Sequence, residues 1–88
     1  MAAPVVTAVP VGAYTKVATG VTAIHVVPLD SNQYFWTYRL TAAGAPTLLN
    51  EASQLPPANT YTGITLAASS DVYVWNVGPI AGNVRIDS

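Results

Sequence analysis

Few side chains in this sequence are equipped for chemistry. It has one histidine, His25, and no cysteine, so a thiol nucleophile, a disulfide and a thiolate metal site are all excluded. Catalysis by His25 would need a nucleophile and an orienting group beside it. His25 instead lies within the apolar run 21–27, where a histidine ordinarily serves structure. A zinc site would have that single histidine to draw on, against the roughly four ligands that zinc takes. The carboxylates Asp30, Glu51, Asp71 and Asp87 deserve a test, because a pair of them suffices for glycoside hydrolysis. Asp30-Ser31-Asn32 and Ser70-Asp71 have the composition of side-chain-capped turns, and no spacing sets two acids across a cleft. Asp30 and Asn32 together offer calcium two oxygens, short of the roughly six to eight it binds. None of the glycines opens a Gly-Lys-Ser/Thr phosphate loop. The expectation is a protein that is not an enzyme and carries no cofactor and no metal.

The charge inventory narrows the partners. Three basic and four acidic residues make up 8% of the chain, against about 25% in an ordinary soluble domain. Three scattered cations cannot neutralise a run of phosphates, which argues against nucleic acid, and they would adsorb poorly to an anionic membrane. No apolar run approaches the ~20 residues of a membrane-spanning helix. The opening Met1-Ala2-Ala3-Pro4-Val5-Val6 has no basic segment, and Pro4 and Pro10 interrupt its apolar stretch. It therefore reads as no secretory leader, and synthesis in a cytoplasm is expected. At 88 residues the chain makes one domain, which buries roughly 60 to 65% of its unfolded surface. That burial is marginal, and so weakly charged a surface gives little protection against association. Both point to a subunit completed by partners.

The elements that must hold these residues are strands. From Tyr34 to Thr41 the period is two, with Tyr34, Trp36, Tyr38 and Leu40 on one side and Phe35, Thr37, Arg39 and Thr41 on the other. Val72 and Val74 alternate with Tyr73 and Trp75, and Val84 and Ile86 with Arg85 and Asp87. Strands are predicted at about 13–19, 21–28, 33–42, 62–67, 71–77 and 83–87, with a shorter one near 46–50. Breaks fall at Gly20, at 28–32, at 43–46, at the proline loop 54–59, at 67–71 and at 78–82. Residues 48–55 alone could form a helical turn or two. Short strands at this spacing predict an all-β fold: a single small antiparallel β-sandwich, jelly-roll-like or a small barrel, over residues 13–88.

Residues 1–12 form an extended N-terminal segment with two readings. One is an edge strand of the chain's own sheet. The other is an arm that adds a strand to a neighbouring subunit through Val5, Val6 and Val9. The aromatic rows also divide two ways. If Tyr34, Trp36 and Tyr38 point inward they are core, and Phe35 with Arg39 forms an outward contact patch. If they point outward, they form a row on which sugar rings could stack. Opposite a buried Val72 and Val74, the rings of Tyr73 and Trp75 are left for an edge or interface, where amphipathic rings are favoured.

With these elements in place the chain resembles the small β-sandwich virion proteins of tailed bacteriophages. The likeness rests on Tyr14 to Gly20, the following Val-Thr-Ala-Ile-His-Val-Val, and the strand Tyr38 to Ala42. It continues through the proline loop Leu55 to Thr60, the segment Ile64 to Val74, and the final Gly82 to Ile86. These are patterns of strands and turns rather than chemical signatures. Where a common form of the pattern has a glycine beside the aspartate before the penultimate strand, this chain has Ser69-Ser70-Asp71. The resemblance implies a structural virion protein, often a capsid decoration or cement protein on the capsid surface, sometimes a neck, tail or fibre component. It implies the major capsid protein as partner and a homo-oligomer, frequently a trimer at a threefold site.

Overall fold

The structure is a computed structural model that describes residues 4–40, 53–55 and 60–87. Its elements are β1 (Val5–Val9), β2 (Tyr14–Pro28), β3 (Tyr34–Leu40), β4 (Ser53–Gln54), β5 (Thr62–Asn76) and β6 (Gly82–Asp87), with no helix among the described residues. All six join one antiparallel sheet in the order β1-β6-β2-β5-β3-β4. The all-β antiparallel class is therefore as expected, with every strand among the described residues in a single hydrogen-bonded sheet.

Two long strands organise that sheet. The second half of β2 pairs with β6 on one side and with the start of β5 on the other, His25 lying opposite both Asp87 and Gly63. The first half of β2 pairs with the end of β5, which is flanked in turn by β3 and β4. Between the halves the β2–β5 register shifts three times, from Lys16 to Ala23. Such bulges bend a strand and sharpen its twist. Side chains from both halves then meet in one core: Ile24, Val26, Ile64, Leu66, Val72, Val74, Val84 and Ile86, with Val9, Tyr34 and Leu55.

The bend explains two differences from the expected strand list. Gly20 and the segment 67–71 were natural breaks, yet β2 and β5 run straight through them. Gly20 takes φ +62°, a conformation that glycine adopts at little cost, and its N–H donates to Asp71 Oδ1 at 3.0 Å. A break on each of two strands has become one shared bulge. The expected strand near 46–50 lies outside the described residues. Of the candidate helical segment 48–55, Ser53 and Gln54 are strand and Leu55 is buried.

Residues 5–9 form the outermost strand of the chain's own sheet, paired with β6 from Val5↔Ile86 to Val9↔Gly82. Beyond it Gly12 N–H donates to Asn76 O at 3.1 Å. The Asn76 side chain, fully buried at the end of β5, donates through Nδ2 to Val9 O (3.1 Å) and Ile80 O (3.0 Å). Its Oδ1 accepts from Gly78 N–H at 2.8 Å. One amide thus fastens the end of β1 and the loop before β6 to the end of β5.

Candidate functional site

The outer face of the β2–β5–β3 layer gathers the aromatic residues. Val72 and Val74 are completely buried on the inner face, so Tyr73 and Trp75 project to the other. Cross-strand pairing then sets Tyr14, Trp75 and Phe35 in one row over three neighbouring strands. Tyr14 meets the Trp75 ring edge-to-face at 4.8 Å and 87°, and the Tyr73 ring at 6.5 Å and 80°. Edge-to-face pairs of this kind are worth about 0.5–1.5 kcal/mol beyond their burial. The next row is Lys16, Tyr73 and Thr37, and beyond it Arg39 lies opposite Asp71.

Asp71 links this face to the bulge. Its carboxylate accepts from Gly20 N–H and lies 3.2 Å from Lys16 Nζ, with its side chain only 7% exposed. The patch therefore consists of packed rings bordered by Lys16, Asp71 and Arg39. Its chemistry suits shape-matched contact through aromatic surface with a few charges at the rim.

The residues expected to make contacts divide between two places. Phe35, Arg39, Tyr73 and Trp75 all lie on this one face. Phe35, Arg39 and Trp75 are half-buried, whereas Tyr73 is only 5% exposed. Tyr73 was expected to be free for an interface, but β5 is a central strand with β2 and β3 on either side, and the Tyr14 ring of β2 lies edge-on to it. Val5 and Val6 are exposed at the β1 edge, 59% and 58%. Val9 belongs to the chain's own core at 0% exposure, because its side chain faces inward just where Asn76 pins the strand. It cannot reach a neighbour while β1 is docked.

The Tyr34 row runs from inside to outside. Tyr34 is buried, Trp36 packs against the core, and Tyr38 and Leu40 emerge at 46% and 55% exposure. Trp36 and Tyr38 lie stacked at 6.4 Å and 26°. His25 is half-buried, with the exposed Tyr61 stacked on it at 4.4 Å and 14°.

The carboxylates are occupied separately. Asp30 accepts from Asn32 N–H (3.0 Å), from Asn83 N–H (2.9 Å) and from the Tyr34 hydroxyl (2.8 Å to each oxygen). Burial works to raise its pKa, but the three donors together outweigh that and hold it below the usual value. Tyr34 moves the other way: burial raises its hydroxyl, and the Asp30 acceptor and charge raise it further. A Cβ at Gly82 would run into the Asp30 carboxylate and the Tyr34 hydroxyl, so the close approach of β6 to this loop requires glycine. Asp87 pairs with Arg85 at 3.2 Å. Glu51 lies outside the described residues. Among the described residues no three of His, Cys, Asp and Glu come together as a metal site.

Tyr14, Lys16 and Asn76 escaped the sequence reading. The alternation Tyr14-Thr15-Lys16 carried a signal for the first two, since it repeats the period of Tyr73-Val74-Trp75. Nothing in the local sequence around Asn76 distinguishes it from a turn residue. Comparison with protein-family models, with curated proteins and with solved structures finds no match to the chain.

Proposed function

We propose that the chain is a non-enzymatic structural protein of a tailed-phage virion, a decoration or cement subunit that bridges copies of the major capsid protein at the head surface. The observation that carries this reading is the Tyr14–Trp75–Phe35 row, an aromatic face held rigid by cross-strand packing. Rings that are already ordered lose little entropy on docking, and such residues dominate interface energies. A subunit that binds only the assembled lattice stabilises that lattice by mass action. Modest contacts repeated by symmetry sum to a large total.

The test is attachment of Trp75→Ala to purified heads that lack the protein. Weaker occupancy by the variant, with unchanged circular dichroism, supports the reading, while equal occupancy removes the aromatic face from it. Copy number per virion separates the roles: a lattice-wide number belongs to decoration, and a single ring's worth to a neck or tail component. A fibre module that stacks on glycans is the second reading, favoured by the exposed ring of Tyr38 stacked over Trp36. It predicts a change in tryptophan fluorescence on adding host polysaccharide.

A further inference from the structure

Among the described residues β1 has no neighbour on its far side, and β6 reveals which of its groups face that edge. Asn83 N–H donates to Asp30 and Asn83 O accepts from Leu29 N–H, so the main-chain groups of Asn83 point toward β2. These directions alternate along a strand, so Gly82, Val84 and Ile86 turn theirs toward β1. Their partners Val9, Thr7 and Val5 are therefore the β1 residues bonded to β6. Val6 and Ala8 direct their N–H and C=O groups at the open edge. Pro4 and Pro10 share the parity of Val6 and Ala8, so each lacks an N–H only where it would face outward.

Natural edge strands commonly carry a charge that discourages pairing. This one carries none: residues 4–15 contain no charged side chain, and Val5 and Val6 are largely exposed. The strand is also self-complementary. We propose that β1 pairs antiparallel with β1 of a second copy of this chain, about a twofold axis through Thr7.

In that register Val6 lies opposite the other copy's Ala8, and the two exchange both hydrogen bonds. Symmetry repeats the exchange, which satisfies every N–H that Val6 and Ala8 present to the edge. Val5, Thr7 and Val9 stay on one face and Val6 and Ala8 on the other, so the inward faces of the two sheets become continuous. A shift of two residues either way would set a proline opposite Val6 or Ala8. Thr7 meets its own symmetry mate in a non-hydrogen-bonded pair, the closer kind, where threonine pairs are favourable. The contact is isologous and so differs from the threefold assembly that the virion resemblance implies. It stands or fails independently of the virion reading.

The experiment uses the full chain in sedimentation velocity over a concentration series, with Ala8→Pro beside the unaltered protein. Because the Ala8 N–H faces outward, this change removes an intermolecular donor and leaves the β1–β6 bonds in place. The expected result is a dimer that Ala8→Pro weakens at least tenfold, with unchanged circular dichroism. A cross-linking pair covers the case in which Ala8→Pro fails to fold. The protein has no cysteine, so Thr7→Cys introduces a single thiol that faces its own mate about 4.5 Å away between Cα atoms, within disulfide range. Ala8→Cys faces Val6 instead. Rapid oxidative dimerisation of Thr7→Cys but not of Ala8→Cys supports the register. A protein that stays monomeric at every concentration, an oligomer indifferent to Ala8→Pro, or equal cross-linking of the two cysteine variants overturns it.

Discussion

Asn76 offers the sharpest test of how the end of β1 and the loop before β6 are fastened to the end of β5. Replacing it with alanine deletes two donated bonds, to Val9 O and Ile80 O, and one accepted from Gly78 N–H. At about 1 kcal/mol net for each bond the loss is about 3 kcal/mol. Ile80 O retains a donor in Asn32 Nδ2 at 2.7 Å, so it is not left bare, and the desolvation penalty falls mainly on Gly78 N–H. In a domain of this size each kcal/mol moves Tm by about 4–8 °C, so a fall of about 12–24 °C is expected. Urea unfolding followed by tryptophan fluorescence measures the free energy directly. Asn76→Asp is the informative companion. It keeps an acceptor for Gly78 but turns a carboxylate toward two carbonyl oxygens, so at pH 7 it should cost at least as much as alanine. Folding raises the pKa of the new carboxyl, since burial and facing carbonyls both favour its neutral form. Stability should therefore increase as pH falls from 7 to 5, a range in which Asp30, held below 3.8, stays ionised. A loss under about 1 kcal/mol for alanine, or an aspartate variant as stable as the parent at pH 7, would refute the role given to this amide.

Other outcomes follow from single contacts. Asp30 has a depressed pKa in the folded state, so its contribution is present above the unfolded value near 3.8 and lost as pH falls through the lower folded value. Asp30→Asn should flatten the acid limb of a pH–stability curve in that window, and an unchanged limb would show that the loop does not sense this carboxylate. Gly82→Ala forces a methyl against Asp30 and Tyr34 and should cost about 1–3 kcal/mol in chemical denaturation. Gly20→Ala places a side chain at φ +62° in the shared bulge and should cost about 1–2 kcal/mol, whereas Thr22→Ala, exposed two residues on, should stay within about 0.5 kcal/mol.

Local pattern carried the strands but not what joins them. Alternation at 34–40, 72–75 and 84–87 named the strands and separated the faces, because a period of two is a property of neighbours in sequence. Asp30-Ser31-Asn32 was legible as a capped turn, and Asn32 N–H does donate to Asp30 Oδ1. That the same carboxylate also binds Tyr34 and Asn83 needed the loop and β6 side by side. Gly20 and 67–71 were misread as ends because a glycine and a serine-rich stretch mark a bulge as readily as a turn. Only the bond between Gly20 and Asp71, distant in sequence, decides between them. Burial of Tyr73 was hidden for a similar reason. Alternation places its ring on the outer face, but only the strand order shows that β5 has a neighbour on each side.

The pairing of β1 with β6 has a consequence for how the protein is made. Val5 binds opposite Ile86, almost the full length of the sequence away. On the ribosome, then, the valine-rich strand emerges well before β6, the strand it docks on. At roughly 5–20 residues per second it stays undocked for several seconds while the rest of the sheet is synthesised. During that interval the β6 of a neighbour whose own β1 has yet to dock is as good a template as its own, which makes crowded polysomes the setting in which two nascent chains would trade these strands.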